Sequence, residues 1–99
     1  MPEAFAMSQN YPNPFNAETR MTLQMPEGGE VRVEVYSLTG ARIRILAEGK
    51  KTAGRHTLTW DGRLEDGRQA ASGIFLAAVT VCSERGTVFQ KRIKMMMIK

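Results

Sequence analysis

Apolar and polar residues alternate along most of this chain with period two. Thr19, Met21, Leu23 and Met25 share one parity, and Glu18, Arg20, Thr22 and Gln24 the other. Val31, Val33 and Val35 alternate with Arg32 and Glu34, Ile43 and Ile45 with Arg42 and Arg44, and Leu58 and Trp60 with Thr57 and Thr59. Successive side chains of a strand point to opposite faces, so each pattern predicts a strand with one buried and one wet face. The segment Ile74–Cys82 is apolar on both parities and reads as a central strand covered on both sides. Gly73 before it and Gly86 soon after favour a strand over a helix there. Thr87–Ile98 predicts a long closing strand at a sheet edge. Phe89, Ile93, Met95 and Met97 fall on one parity, while Gln90, Arg92 and Lys94 on the other discourage pairing with another molecule.

Turn signals separate these segments at Pro26–Gly29, Thr39-Gly40, Glu48–Gly54, Asp61–Gly67, Ser72-Gly73 and Glu84–Gly86. No window of roughly 11 residues carries a helical apolar stripe. The pattern therefore predicts an all-β fold, an immunoglobulin-like antiparallel β-sandwich of about seven strands, with a small barrel as the alternative. Residues 1–10 read as a polar leader or the end of an interdomain linker, and residues 11–99 as the domain.

Composition narrows the picture. At 99 residues the chain holds one domain, and 42% hydrophobic with 24% charged residues excludes wholesale disorder. No apolar run approaches the ~20 residues that span a bilayer. Met1–Met7 lacks a basic region followed by an apolar one, so it does not read as a signal peptide. The expectation is a chain that stays where it was made, or the tail of a longer exported one. A lone cysteine, Cys82, forms no internal disulfide, so packing alone must hold the fold. The net charge of +4 is mild and its basic residues are scattered, which gives little support to nucleic-acid binding.

The least ordinary segment is Tyr11-Pro12-Asn13-Pro14-Phe15-Asn16. Each proline fixes its own φ and restrains the residue before it, and the asparagines bond back to the backbone in tight bends. The segment reads as a rigid turn where the chain enters the sandwich, with Tyr11 and Phe15 as apolar plugs. The competing reading is a surface for another protein, because pre-shaped segments dock with little ordering entropy. Trp60 on its alternating strand reads as the central core plug. Asp61-Gly62 reads as a tight turn, Gly supplying positive φ and Asp capping the backbone. The loop from Asp61 to Asp66 offers three acids to Ca²⁺ but lacks the alternating ligands of an EF-hand, so no metal site is assigned. His56 shares parity with Leu58 and Trp60 and reads as a half-buried, satisfied histidine; Cys82 reads as a small hydrophobe. The methionines at the end read as core filler. No phosphate loop, metal cluster, cofactor site or catalytic constellation is expected.

The chain resembles the type A C-terminal sorting domain of the type IX secretion system, found in many Bacteroidetes. That module is related to the immunoglobulin-like domain of the flagellar hook-capping protein. Asn10-Tyr11-Pro12-Asn13-Pro14-Phe15-Asn16 looks like its opening, and Val35-Tyr36-Ser37-Leu38-Thr39-Gly40 like its Val-Tyr-x-x-x-Gly hairpin. Gly54-Arg55-His56-Thr57-Leu58-Thr59-Trp60-Asp61-Gly62 is similar to its Gly-x-His-x-x-x-Trp-Asp-Gly strand and turn. Ala71-Ser72-Gly73-Ile74-Phe75 and the ending Lys94-Met95 with terminal Lys99 complete the series in order. Ala17-Glu18-Thr19 stands where the family has Pro-Ser/Thr-Thr.

The resemblance implies a C-terminal address on a larger exported protein. Such a domain follows its N-terminal passenger into the periplasm and is bound by the outer-membrane type IX translocon. An associated peptidase commonly removes it, leaving the cargo at the cell surface or secreted. By the same resemblance, recognition falls to the Lys94–Lys99 segment and the Gly40 and Gly73 turns, with Tyr11–Asn16 marking the start of the domain. The alternative is a structural or adhesive immunoglobulin-like module, of hook-capping type or accessory to an extracellular enzyme.

Overall fold

The computed structural model describes residues 4–98. Seven strands form: β1 (Ala6–Met7), β2 (Thr19–Met25), β3 (Gly29–Ser37), β4 (Arg42–Lys51), β5 (Gly54–Trp60), β6 (Gly73–Ser83) and β7 (Gly86–Met97). They make two antiparallel sheets, β1-β2-β5 and β4-β3-β6-β7, which pack as an immunoglobulin-like sandwich. The alternation along the chain sets which residues meet. Met21, Leu23 and Met25 of β2 and Leu58 and Trp60 of β5 face Val31, Val33 and Val35 of β3, Phe75, Ala77, Val79 and Val81 of β6, and Ile93, Met95 and Met97 of β7. Fully burying an aliphatic or aromatic side chain of this size contributes about 1.5–3 kcal/mol. Packing in this single contiguous core therefore holds the two sheets together.

Three features depart from the alternation reading. β6 is central, as expected, but only one face is covered. Ile74, Leu76, Ala78 and Thr80 are half-buried on the outside of the sheet, because no third layer of the described residues packs there. β4 continues through the expected turn at Glu48-Gly49 to Lys51, and Gly49 takes φ of +124° within the strand. The expected leader, residues 1–10, ends inside the fold. Ala6 and Met7 pair with Gln24 and Leu23, and Met7 and Asn10 are buried. After Met1 that segment holds only Phe5 and Met7 as large apolar residues, too few to set a period.

Candidate functional site

The motif residues gather at one end of the sandwich because the register brings them there. Gly73 opens β6 opposite Met97 near the end of β7, and Ser37 near the end of β3 pairs with Phe75. The Gly40 turn between β3 and β4 lies at that same end, with Gly40 exposed at φ of +91°. Trp60, the last residue of β5, is fully buried. Its ring lies 5.6 Å from Phe15 and 5.1 Å from Phe75, the latter edge to face, and its indole N–H donates to the Arg63 carbonyl at 3.0 Å. Gly62 follows at φ of +74°. A Cβ there would lie 2.9 Å from Gln69 Nε2 and 3.0 Å from Met97 Sδ, so the turn needs glycine for its backbone and for its neighbours. Gly54 is the exception. It opens β5 opposite Met25, at the far end of the sandwich.

Residues 10–16 form a strap that joins the two sheets at this end. Asn10 and Thr19 are its buried polar anchor. The Asn10 amide donates to Thr19 Oγ1 at 3.0 Å and to the Pro12 carbonyl at 3.2 Å, and the Thr19 hydroxyl donates to the same carbonyl at 2.9 Å. Tyr11 and Arg20 exchange backbone bonds of 2.8 and 2.9 Å, fixing the strap to β2. Phe15 is the one side chain of Tyr11–Asn16 that reaches the core. Tyr11 does not plug the sandwich; it is 81% exposed, since its backbone pairing with Arg20 turns the ring outward.

The strap also latches the end of β7. The Phe15 N–H donates to the Met96 carbonyl at 3.0 Å, and the Ile98 N–H to the Phe15 carbonyl at 2.8 Å. Asn13 Oδ1 accepts from the Met96 N–H at 3.0 Å, and Gln9 donates to the Lys94 carbonyl at 2.7 Å. Between Lys94 and Ile98 the outward backbone groups of the closing strand are therefore taken up by the strap and Gln9 and not left as a bare edge. The opposite edge is treated the same way at the same end. Glu65 of the loop after β5 accepts from the Ile45 N–H and donates its own N–H to the Ile43 carbonyl, both at 3.0 Å.

With its backbone held, the end of β7 divides cleanly. Met95 and Met97 are buried, while Lys94, Met96 and Ile98 project outward. Lys99, the last residue of the motif, lies outside the described residues.

The remaining motif residues have local roles. Asp61 accepts from the Arg63 N–H and pairs with Arg44 at 3.0 Å. Asp66 caps the Arg68 N–H, and that bond, with the Arg68 side chain, holds its carboxyl below the usual range. Asp61 and Asp66 thus serve turns and ion pairs, and Glu65 caps the edge of β4. His56 Nε2 lies 2.8 Å from the Thr52 carbonyl, and Cys82 Sγ is 3.7 Å from Thr87 Oγ1. On the outer face of the four-stranded sheet, the Tyr36 hydroxyl donates to Glu34 at 3.0 Å, which with burial raises the phenol above its ordinary value of 10.0.

Comparison with known proteins gives a consistent family. The profile of the FlgD Ig-like domain matches residues 8–84. The chain is 38% identical over 58 residues to the basal-body rod modification protein FlgD of Escherichia coli (strain K12), covering 59% of this chain and 25% of that protein. It is 36% identical over 74 residues to the FlgD of Salmonella typhimurium, covering 75% of this chain and 29% of that protein. The chain thus spans 25–29% of the length of these curated relatives. The solved FlgD of P. aeruginosa superposes with a TM-score of 0.65 at 20% identity, over 79% of this chain and 59% of that one. Dimeric latent PorU of Porphyromonas gingivalis superposes with a TM-score of 0.70 at 18% identity, over 98% of this chain and 10% of that one. At such identities the structural likeness establishes the fold.

Proposed function

Since the chain belongs to the FlgD Ig-like domain family, we propose that it is a non-catalytic, protein-binding module, and specifically a C-terminal sorting domain. In this reading it directs a passenger through the type IX secretion system across the outer membrane, passing through the periplasm to the cell surface or medium. Its partners are the outer-membrane translocon, the associated peptidase and the passenger in the parent protein. The family profile ends at residue 84 and leaves β7 unaccounted for. The Lys94-Met95 ending that resembles sorting domains sits on that strand.

The observation that carries the reading is the presentation of this tail. Met95 and Met97 anchor it in the core, the strap holds its backbone, and Lys94, Met96 and Ile98 face outward in a fixed array. A pre-ordered array of basic and apolar side chains suits a receptor, because little ordering entropy remains to be lost on binding.

The test follows from the same division. Deleting Met95–Lys99 would remove two core side chains, so a secretion defect there would report unfolding as well as lost recognition. Replacing the outward set, Lys94→Glu with Met96→Asp and Ile98→Asp, leaves the core intact. The chain is fused after an export signal and a fluorescent protein in a bacterium with type IX machinery. Delivery to the surface or medium should be lost in the triple variant and retained in the parent. Periplasmic retention of both fusions favours the second reading, a structural module of hook-capping type, which the identity to FlgD supports.

A further inference from the structure

We propose that the outer face of the four-stranded sheet is a docking groove for an extended, acidic and apolar segment of a partner protein. The register lines up two rows across β3, β6 and β7: Tyr36, Leu76 and Lys94 in one, and Glu34, Ala78 and Arg92 in the next. Ala78 is the smallest residue of the second row and leaves a depression between Tyr36, Leu76 and Arg92. Leu38, 63% exposed, stands at its mouth. Among the described residues no third layer covers this face, and Leu76 and Ala78 give its floor apolar surface beside Thr80 and Gln90.

Charge selects the occupant. On the β3 side, the groove's carboxylate is already satisfied. Glu34 accepts from the Tyr36 hydroxyl at 3.0 Å and from Arg42 at 3.1 Å, and its side chain is 12% exposed. On the β7 side, Arg92 and Lys94 are exposed and have no ion-pair partner among the described residues. One wall is neutralised and the other carries Arg92, with Lys94 beside it in the neighbouring row and Leu76 and Ala78 between the walls. A chain laying an aliphatic or aromatic side chain over Ala78 and a carboxylate against Arg92 or Lys94 complements all three surfaces. Such complementarity sets specificity and association rate. The inference needs only the folded module and is independent of any secretion pathway.

The probe is an octapeptide, Asp-Asp-Leu-Leu repeated, which when extended puts both residue types on each face. Titrated into the isotope-labelled full chain, it should shift the amides of Leu76, Ala78, Arg92 and Lys94 saturably, and more weakly as salt rises. Arg92→Glu with Lys94→Glu should weaken binding about tenfold. Ala78→Leu, which fills the depression, should abolish the shifts, the spectrum itself reporting that the fold is kept. Four results would each overturn the proposal: equal binding of an Arg-Arg-Leu-Leu repeat, unchanged affinity in either variant, shifts confined to β1, β2 and β5, or no saturable shift at millimolar peptide. Concentration-dependent shifts of these same amides without peptide would assign the face to a second copy, and would overturn it too.

Discussion

Phe15→Ala is the sharpest probe of how the strap works. Phe15 is 1% exposed, packs its ring on Trp60 at 5.6 Å, and is the only side chain of Tyr11–Asn16 in the core. Truncating a buried phenylalanine costs about 3–5 kcal/mol. The strap around it is exposed and free to collapse inward, which places this site near the low end, about 3 kcal/mol. Most of that loss should fall on the latch. Without the ring, the Phe15 N–H and carbonyl lose their anchor against Met96 and Ile98, and Asn13 and Gln9 are left to tie this segment to β7. Urea denaturation followed by the single tryptophan measures the global effect. Hydrogen exchange at the Ile98 amide, which donates to the Phe15 carbonyl, measures the local one. About 3 kcal/mol corresponds to roughly a hundredfold faster exchange there. Tyr11→Ala, at an 81% exposed site, should change stability by no more than about 0.5 kcal/mol. Equal stability of the two variants, or unchanged exchange at Ile98 in Phe15→Ala, would refute the reasoning.

Three further outcomes follow from the geometry. Asn10→Ala removes the buried donor to Thr19 Oγ1 and the Pro12 carbonyl, and should lower stability by about 1–3 kcal/mol in urea denaturation. Gly62→Ala should lower it by about 1–2 kcal/mol from the left-handed backbone alone, with a further loss from displacing Gln69 and Met97, read as a lower thermal midpoint. Tyr36 donates to Glu34 and its phenol is raised, so the folded state favours the protonated form. That contribution is present below the ordinary value of 10.0 and is lost as pH rises through the folded value. Thermal midpoints of the parent should fall more steeply than those of Tyr36→Phe above about pH 10, and parallel curves would contradict the hydrogen bond.

The sandwich was legible because its strands alternate. In β2, β3 and β5 the buried residues are those whose parity matches the apolar set, from Met21 through Val35 to Trp60. β7 was legible for the same reason, with Ile93, Met95 and Met97 inward. The outer face of β6 misled, because apolar content on both parities says nothing about whether a layer exists to cover it. β1 is two residues long and had no period to show. At the site, the turn chemistry of Asn10–Asn16 was readable from its prolines and asparagines. Its attachment to β7 was not, because backbone bonds between residues some 80 positions apart leave no local pattern. Phe15 and Tyr11 looked alike in the sequence, and only register separates the buried ring from the exposed one.

Placement of the chain relative to a passenger tests the sorting reading most directly. Two fusions are compared in a bacterium with type IX machinery, each behind the same export signal, one with the chain after the fluorescent protein and one with it before. A module whose recognition resides in the outward tail of β7 predicts delivery to the surface or medium only when that tail ends the polypeptide. Equal delivery from both arrangements, or periplasmic retention of both, would contradict it.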